Sequence, residues 1–238
     1  MVPDMKSEPG NPRLLGVETS SPIFSVAVSG GQKILSSLKA EGVGKPAELL
    51  TQLIEEATRR ANLPLTALDG FAVSIGPGSF TGLRVGVTTV KTLAWALKKP
   101  VMPVSSLEVA AYNLSGQKNP ICSFVDARKG KVYTALFVAN DQTGFRRIQE
   151  DSLSEPEELL KKLDEKTVLL GDGIRRYEEL IRTVGHGRVT CAPDSTWTPR
   201  ADHVCLAAAK RWPSGVLDDP HRLVPQYLYS TESDITGR

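Results

Sequence analysis

The run Gly76-Pro77-Gly78-Ser79-Phe80-Thr81-Gly82-Leu83-Arg84-Val85-Gly86 limits what this chain can fold into more than any other stretch. It follows an apolar, strand-like segment, Gly70 to Ile75, and leads into a helical pattern from Val85 to Leu97. Glycines and a proline at a strand-to-helix turn impose a tight, special bend. Gly82 and Gly86 are one helical turn apart, so they share a face that carries no side chain. Something packs very close to that face, either the chain's own sheet or another subunit. Ser79 is placed to cap the helix. Gly78 and its neighbours, with Arg84 nearby, can also offer amides and a cation to a phosphate. Thr81 breaks the Gly-x-Ser-x-Gly pattern of a serine nucleophile.

Upstream, Leu14–Thr19, Ile23–Val28 and Lys33–Leu38 read as three antiparallel strands joined by Ser20-Ser21-Pro22 and Gly30-Gly31. A helix follows from about Ala47 to Ala61, with Leu50, Leu53, Ile54, Ala57 and Ala61 at helical spacing and Asn62 as its stop. After the glycine turn and its helix come a short strand, Pro100–Val104, and a helix opened by Ser105 and Glu108. This βββ-α-β-α-β-α order predicts a mixed sheet with helices on its faces. It is the order of an RNase H-like, actin-type half-domain.

The polar break Ser115–Pro120 marks a boundary, after which a similar series starts. Ile121–Asp126 and Lys131–Ala139 form a hairpin around Arg128-Lys129-Gly130, and Gly144–Glu150 is a third strand. Ser154 and Glu157 open a helix to Leu163; Thr167–Leu170 is a strand and Ile174–Val184 a helix. A last helix starts at Thr198-Pro199 and runs to about Trp212. The expected fold is therefore α/β: two RNase H-like half-domains with mixed sheets flanked by helices, as in the actin, sugar-kinase and Hsp70 superfamily. The expected divisions are a disordered extension over 1–13, half-domains over 14–115 and 116–212, and a C-terminal segment, 213–238, packed on the body.

Composition narrows the function classes. Among 238 residues the net charge is +2, and the pairs Arg59-Arg60, Lys98-Lys99, Arg146-Arg147 and Arg175-Arg176 are scattered. That is no case for a direct grip on nucleic acid. Cys122, Cys191 and Cys205 form no framework, which points to reduced thiols in the cytoplasm. No run approaches the roughly 20 apolar residues of a membrane span. Met1–Pro12 lacks the apolar core of a signal peptide.

Five stretches, in order, carry a resemblance: Leu14–Ser20, Gly76–Gly86, Val104–Glu108, Asp126–Tyr133 and Leu170–Gly173. Together they resemble the TsaB (YeaZ-like) family, which belongs to the machinery that makes threonylcarbamoyladenosine in tRNA. The C-terminal Pro225-Gln226-Tyr227-Leu228 also resembles that family's last segment. The resemblance implies a subunit without its own catalytic centre or cofactor. It would bind and support a TsaD-like transferase acting next to the anticodon of ANN-decoding tRNAs, and it would touch tRNA indirectly. ATP or ADP, a metal and a TsaE-like ATPase would belong to the assembled complex, and the chain alone would form a homodimer. The implied interface, for partner or second copy, is Leu50, Leu53, Ile54 and Ala57 with Gly82, Val85, Gly86, Thr89 and Leu93.

Departures from the pattern bear on chemistry. TsaD-type relatives hold a metal with two histidines at i, i+4 on the first-half helix; here the helix entrance reads Lys45-Pro46-Ala47-Glu48-Leu49-Leu50, with no histidine. His186, His203 and His221 are late and unpaired. The first hairpin turn, Glu18-Thr19-Ser20-Ser21-Pro22, lacks the glycine of the superfamily's phosphate turn. Thr19 and Ser20 are phosphate-contact candidates, but they can equally satisfy turn amides. Asp172 is either a nucleotide contact or a helix cap. Asp126 is either a catalytic carboxylate or a turn pin, and Arg128 a partner or RNA contact. Two enzyme readings stand beside the subunit. One is an ATP-dependent small-molecule kinase using Glu18, Asp126 and Asp172; the other is a metallopeptidase, which the missing histidines disfavour.

Overall fold

The structure, a computed structural model, describes residues 11–42, 44–140, 144–164, 166–214 and 219–229. Along the chain run β1 (Arg13–Glu18), β2 (Ile23–Gly30), β3 (Lys33–Glu41), α1 (Pro46–Arg60), β4 (Gly70–Gly76), α2 (Phe80–Leu97), β5 (Val101–Ser105) and α3 (Ser106–Ala111). There follow β6 (Ile121–Arg128), β7 (Lys131–Asn140), β8 (Gly144–Ser154), α4 (Pro156–Lys162), β9 (Thr167–Leu170), α5 (Gly173–Arg176), α6 (Glu178–Val184), β10 (Val189–Cys191) and α7 (Ala201–Arg211). Residues 1–10 of the expected N-terminal extension and 230–238 of the C-terminal segment lie outside the described residues.

Two five-stranded mixed sheets result, ordered β3-β2-β1-β4-β5 and β10-β9-β6-β7-β8. In each, a three-strand antiparallel meander is continued by two strands parallel to its first member. The second order is the first one repeated, so the expected duplication of RNase H-like halves is the observed architecture. The sequence reading lacked β10, a three-residue strand too short to show a period. The helix expected over 174–184 is broken at Tyr177 into α5 and α6.

In the first unit one sheet face carries Leu15, Val17, Val26, Val28, Phe71 and Val73, covered by Leu50, Ile54 and Ala57 of α1 and Val87, Val90 and Ala94 of α2. Each large aliphatic chain so buried contributes roughly 2 kcal/mol. The opposite face is covered by α7, through Ala201 and Cys205 against Ala27. With both faces covered, β1 is buried along nearly its whole length. Gly16 is the device that permits this: a Cβ there would meet Cys205 Sγ at 2.6 Å and the Ala201 carbonyl at 2.8 Å. The Ala201 amide donates to Ser25 Oγ at 2.9 Å, fixing the start of α7 on the sheet.

The division of the chain therefore differs from the sequence expectation. Among the described residues one compact unit runs from Asn11 to Ser106 with Arg200 to Gln226, the other from Leu107 to Pro199 with Tyr227 to Tyr229. The last helix follows the second half in sequence but packs on the first sheet, and it starts at Ala201 rather than Thr198. The first boundary falls at Ser106 rather than 115, because Leu107 already belongs to the second unit, its carbonyl accepting from Ser123 Oγ at 3.0 Å. In the C-terminal segment the Gln226 amide donates to Ile75 O at 2.7 Å within the first unit, and Tyr229 Oη donates to Ala127 O at 2.8 Å within the second. The second core gathers Cys122, Phe124, Val132, Leu160, Leu163, Leu169 and Ile174.

Candidate functional site

The β1–β2 turn lies directly on the glycine turn. Glu18, at the end of β1, is wholly buried, and its Oε1 accepts the Ser20 amide at 2.5 Å. Burial pushes its carboxyl above the ordinary range; contacts with Ser20 and Ser74 pull it back only in part. Thr19 is also wholly buried, with its Oγ1 unpaired among the described residues. The Ser20 carbonyl accepts the Ser79 amide at 2.7 Å. Ser79 Oγ accepts the Gly82 amide at 3.2 Å, the expected helix cap. Glu18 thus satisfies one turn amide, and Ser21 Oγ accepts another from Ile23 at 3.2 Å.

The two helical glycines face this turn. A Cβ on Gly82 would overlap the Thr19 carbonyl, and one on Gly86 would overlap Thr19 Oγ1. A Cβ on Gly78 would overlap the Ser20 carbonyl. Of the two sources of close packing that the sequence allowed, the chain itself supplies the one seen here. The side-chain-free face of α2 is turned inward, so Gly82 and Gly86, named in the implied interface, are buried against Thr19 in the chain alone. Leu50, Ile54 and Ala57 are likewise buried in the core, and Leu53, Val85 and Leu93 pack against it half-buried, as their helical spacing on one face requires. Thr89 is half-buried.

The face that α2 does expose carries Thr81, Arg84, Thr88, Thr92 and Trp95, with Trp95 61% exposed. Sequence reasoning missed this stripe, although its spacing of three and four residues was legible. The Arg84 guanidinium stacks 3.9 Å from the Phe80 ring centroid. A cleft of about 270 Å³ between Lys91, Thr92, Trp95, Pro220 and His221 flanks the stripe. Lys91 Nζ closes its floor by donating to the carbonyls of His221 and Leu223 at 3.0 and 3.2 Å.

Asp172 belongs to the second unit. Its carboxylate does not cap α5; its Oδ1 accepts the Asp126 amide at 2.9 Å instead. Asp126 pins its turn as expected, Oδ1 accepting the Arg128 amide at 2.9 Å. Its Oδ2 pairs with Arg128 at 3.3 Å and Arg176 at 3.5 Å. Ser154 does not cap α4 either: it ends β8, and Glu155 stands at the cap position.

Among the described residues no side-chain cluster fits a metal. Glu48, the one carboxylate at the entrance of α1, pairs with Lys45 at 3.0 Å. No group of three or more His, Cys, Asp or Glu side chains suited to a metal ion occurs among the described residues. Nor is a thiol nucleophile prepared: burial pushes the thiols of Cys122 and Cys205 up to about 12. No helix among the described residues is long and apolar enough to cross a membrane.

Known proteins are similar to this chain. Residues 45–191 match the family model of TsaD, tRNA N6-adenosine threonylcarbamoyltransferase. A tRNA N6-adenosine threonylcarbamoyltransferase of Geotalea daltonii is 35% identical over 111 residues, covering 40% of this chain and 33% of that protein. A crystal structure from Pseudomonas aeruginosa, described as an uncharacterized protein with similarity to peptidase YeaZ, superposes with a TM-score of 0.79 at 26% identity, covering 92% of this chain and 100% of that one. The tRNA threonylcarbamoyladenosine biosynthesis protein TsaB of Bacillus subtilis is 32% identical over 169 residues, 70% of this chain and 72% of that protein. The resemblance seen in five sequence stretches thus extends over most of the chain, and the protein belongs to the TsaB family.

Proposed function

We propose that this chain is a non-catalytic subunit in the making of tRNA threonylcarbamoyladenosine, supporting a TsaD-like transferase. The pathway comes from the names its relatives carry. The observation that carries the non-catalytic role is the Thr19–Ser20 turn seated on α2. In a phosphate-binding turn, backbone amides and open space near the helix start face the ligand. Here the Ser79 amide is taken by Ser20 O, the Gly82 amide by Ser79 Oγ, and the space over Gly82 and Gly86 by Thr19. The Glu18 carboxyl, first member of the kinase trio, is sealed beneath that turn.

The docking face for the transferase is the exposed stripe Arg84–Thr88–Thr92–Trp95, with the outer edges of Leu53, Val85, Thr89 and Leu93 beside it. A large, solvent-exposed aromatic beside a cleft is the usual anchor of a protein interface. The same face would serve a homodimer of the isolated chain, so self-association and partner binding compete. Nucleotide, metal and a TsaE-like ATPase enter with the assembled cytoplasmic complex. Co-purification of the intact chain with a TsaD-like transferase tests this: Trp95→Asp abolishes capture without lowering the chain's thermal stability. Capture by the variant at the parent level overturns the assigned face, and lack of capture by the parent chain overturns the role.

A further inference from the structure

We infer that the β6–β7 hairpin tip, with α5 beside it, is an RNA-contacting surface of the second unit. The first argument is conformational. Arg128, Lys129 and Gly130 all have positive φ, at 65°, 47° and 77°. Glycine and asparagine suit such turn positions, whereas long side chains are strained there. A hairpin that needed only to turn would carry Asn-Gly where this one carries Arg-Lys. Strain of this kind persists where the surroundings over-determine it, and it clusters at functional sites. The surroundings here are the Asp126 carboxylate on the Arg128 amide and the Tyr229 hydroxyl, which donates to the Ala127 carbonyl.

The second argument is chemical. Asp126, with its side chain 8% exposed, pairs with the guanidiniums of Arg128 (80% exposed) and Arg176 (48% exposed). A single buried carboxylate so holds two outward guanidiniums whose remaining N–H donors suit phosphate oxygens. Three cations also lie over aromatic rings: Lys129 over Tyr229 at 5.9 Å, Arg175 over Trp197 at 5.5 Å and Arg176 over Tyr177 at 5.9 Å. Cations interleaved with rings provide phosphate contacts and stacking planes together, which is the chemistry of RNA loops rather than of a smooth protein face. Three of the nearby acids have partners of their own: Asp172 accepts the Asp126 amide, Asp194 pairs with Arg175 at 3.8 Å, and Glu179 pairs with Arg182 at 2.6 Å. Of the basic pairs in the sequence only Arg175-Arg176 lies here, and Arg128, 48 residues before Arg176, joins it on one carboxylate.

This surface is independent of the docking stripe on α2, so the two fail separately. The test uses the intact chain, an unmodified transcribed tRNA and fluorescence anisotropy at about 50 mM salt, where phosphate contacts are strong. The variant Arg128→Asn with Lys129→Gly relieves the turn, so its thermal midpoint equals or exceeds the parent's. Its tRNA affinity falls about tenfold or more, and the slope of log affinity against log salt drops by about two. Arg176→Ala lowers affinity by a smaller factor, and Arg59→Ala on α1 leaves it unchanged. Absence of tRNA binding by the parent, or equal binding by the double variant, overturns the assignment. Unchanged tRNA binding with loss of the transferase overturns it too, because the surface then serves an acidic protein segment.

Discussion

Thr19 Oγ1 lies where a methyl group on Gly86 would have to be. That contact ties the end of β1 to α2, and it makes the glycine-rich helix a lock between two parts of one unit. Replacing Gly86 by Ala gains up to about 1 kcal/mol of helix propensity. It also forces a clash with a fully buried side chain, and overpacking of that kind costs about 1–3 kcal/mol. The clash wins: Gly86→Ala lowers the urea midpoint with an unchanged m-value. The double variant with Thr19→Ala recovers part of the loss, so the cycle shows coupling between the two positions. Gly86→Arg cannot be accommodated and yields no folded monomer.

Glu18 sets a pH dependence. An unfolded chain ionises this carboxyl near its ordinary value of 4.5, while burial keeps the folded form protonated to higher pH. The folded state then binds more protons, so the stability tied to Glu18 is fully present below about 4.5 and is lost as pH rises through the folded value. Glu18→Gln, which removes the charge, flattens stability against pH above 4.5 in denaturant titrations. A slope identical in variant and parent contradicts the burial of an ionisable group there.

Thiol reactivity follows the packing. Cys122 and Cys205 are buried with thiols pushed up to about 12, whereas Cys191 is exposed. Brief alkylation of the native protein, read by peptide mass spectrometry, modifies Cys191 and spares the other two. Labelling of Cys205 at the same rate means that α7 is not seated on the first sheet.

The α7 seat can be tested from the strand side. Gly16→Ala places a methyl against Cys205 Sγ and the Ala201 carbonyl. One of those neighbours is backbone and cannot rotate away, so the expected cost is about 1–3 kcal/mol, read as a lowered thermal midpoint. Gly16→Ala combined with Cys205→Ala recovers only the part due to sulfur.

Both meanders, the parallel strands β4, β5 and β9 and most of the helices between them were legible in the sequence, because alternation, helical spacing and turn residues are local signals. The capping role of Ser79 and the turn role of Asp126 were legible for the same reason. What misled was anything settled at long range. Gly16 sits in the middle of β1 with nothing local to say that a helix 185 residues later needs its bare Cα. Gly82 and Gly86 announced close packing but not its partner, and Thr19 is 63 residues or more away in sequence. Asp172 stands at a cap position, yet the competing acceptor role toward the Asp126 amide wins. Trp95 was silent because a lone aromatic on a helix reads as core until its exposure is known.

The central claim is that this chain works through what it holds rather than through what it converts. The most direct measurement is stimulation of tRNA threonylcarbamoylation by a purified TsaD-like transferase, with the chain's own nucleotide turnover measured in parallel. The account predicts that the chain alone turns over no ATP, that the transferase is stimulated when it is added, and that Trp95→Asp removes the stimulation. Sustained ATP turnover by the isolated chain, lost on Asp126→Asn, would contradict it.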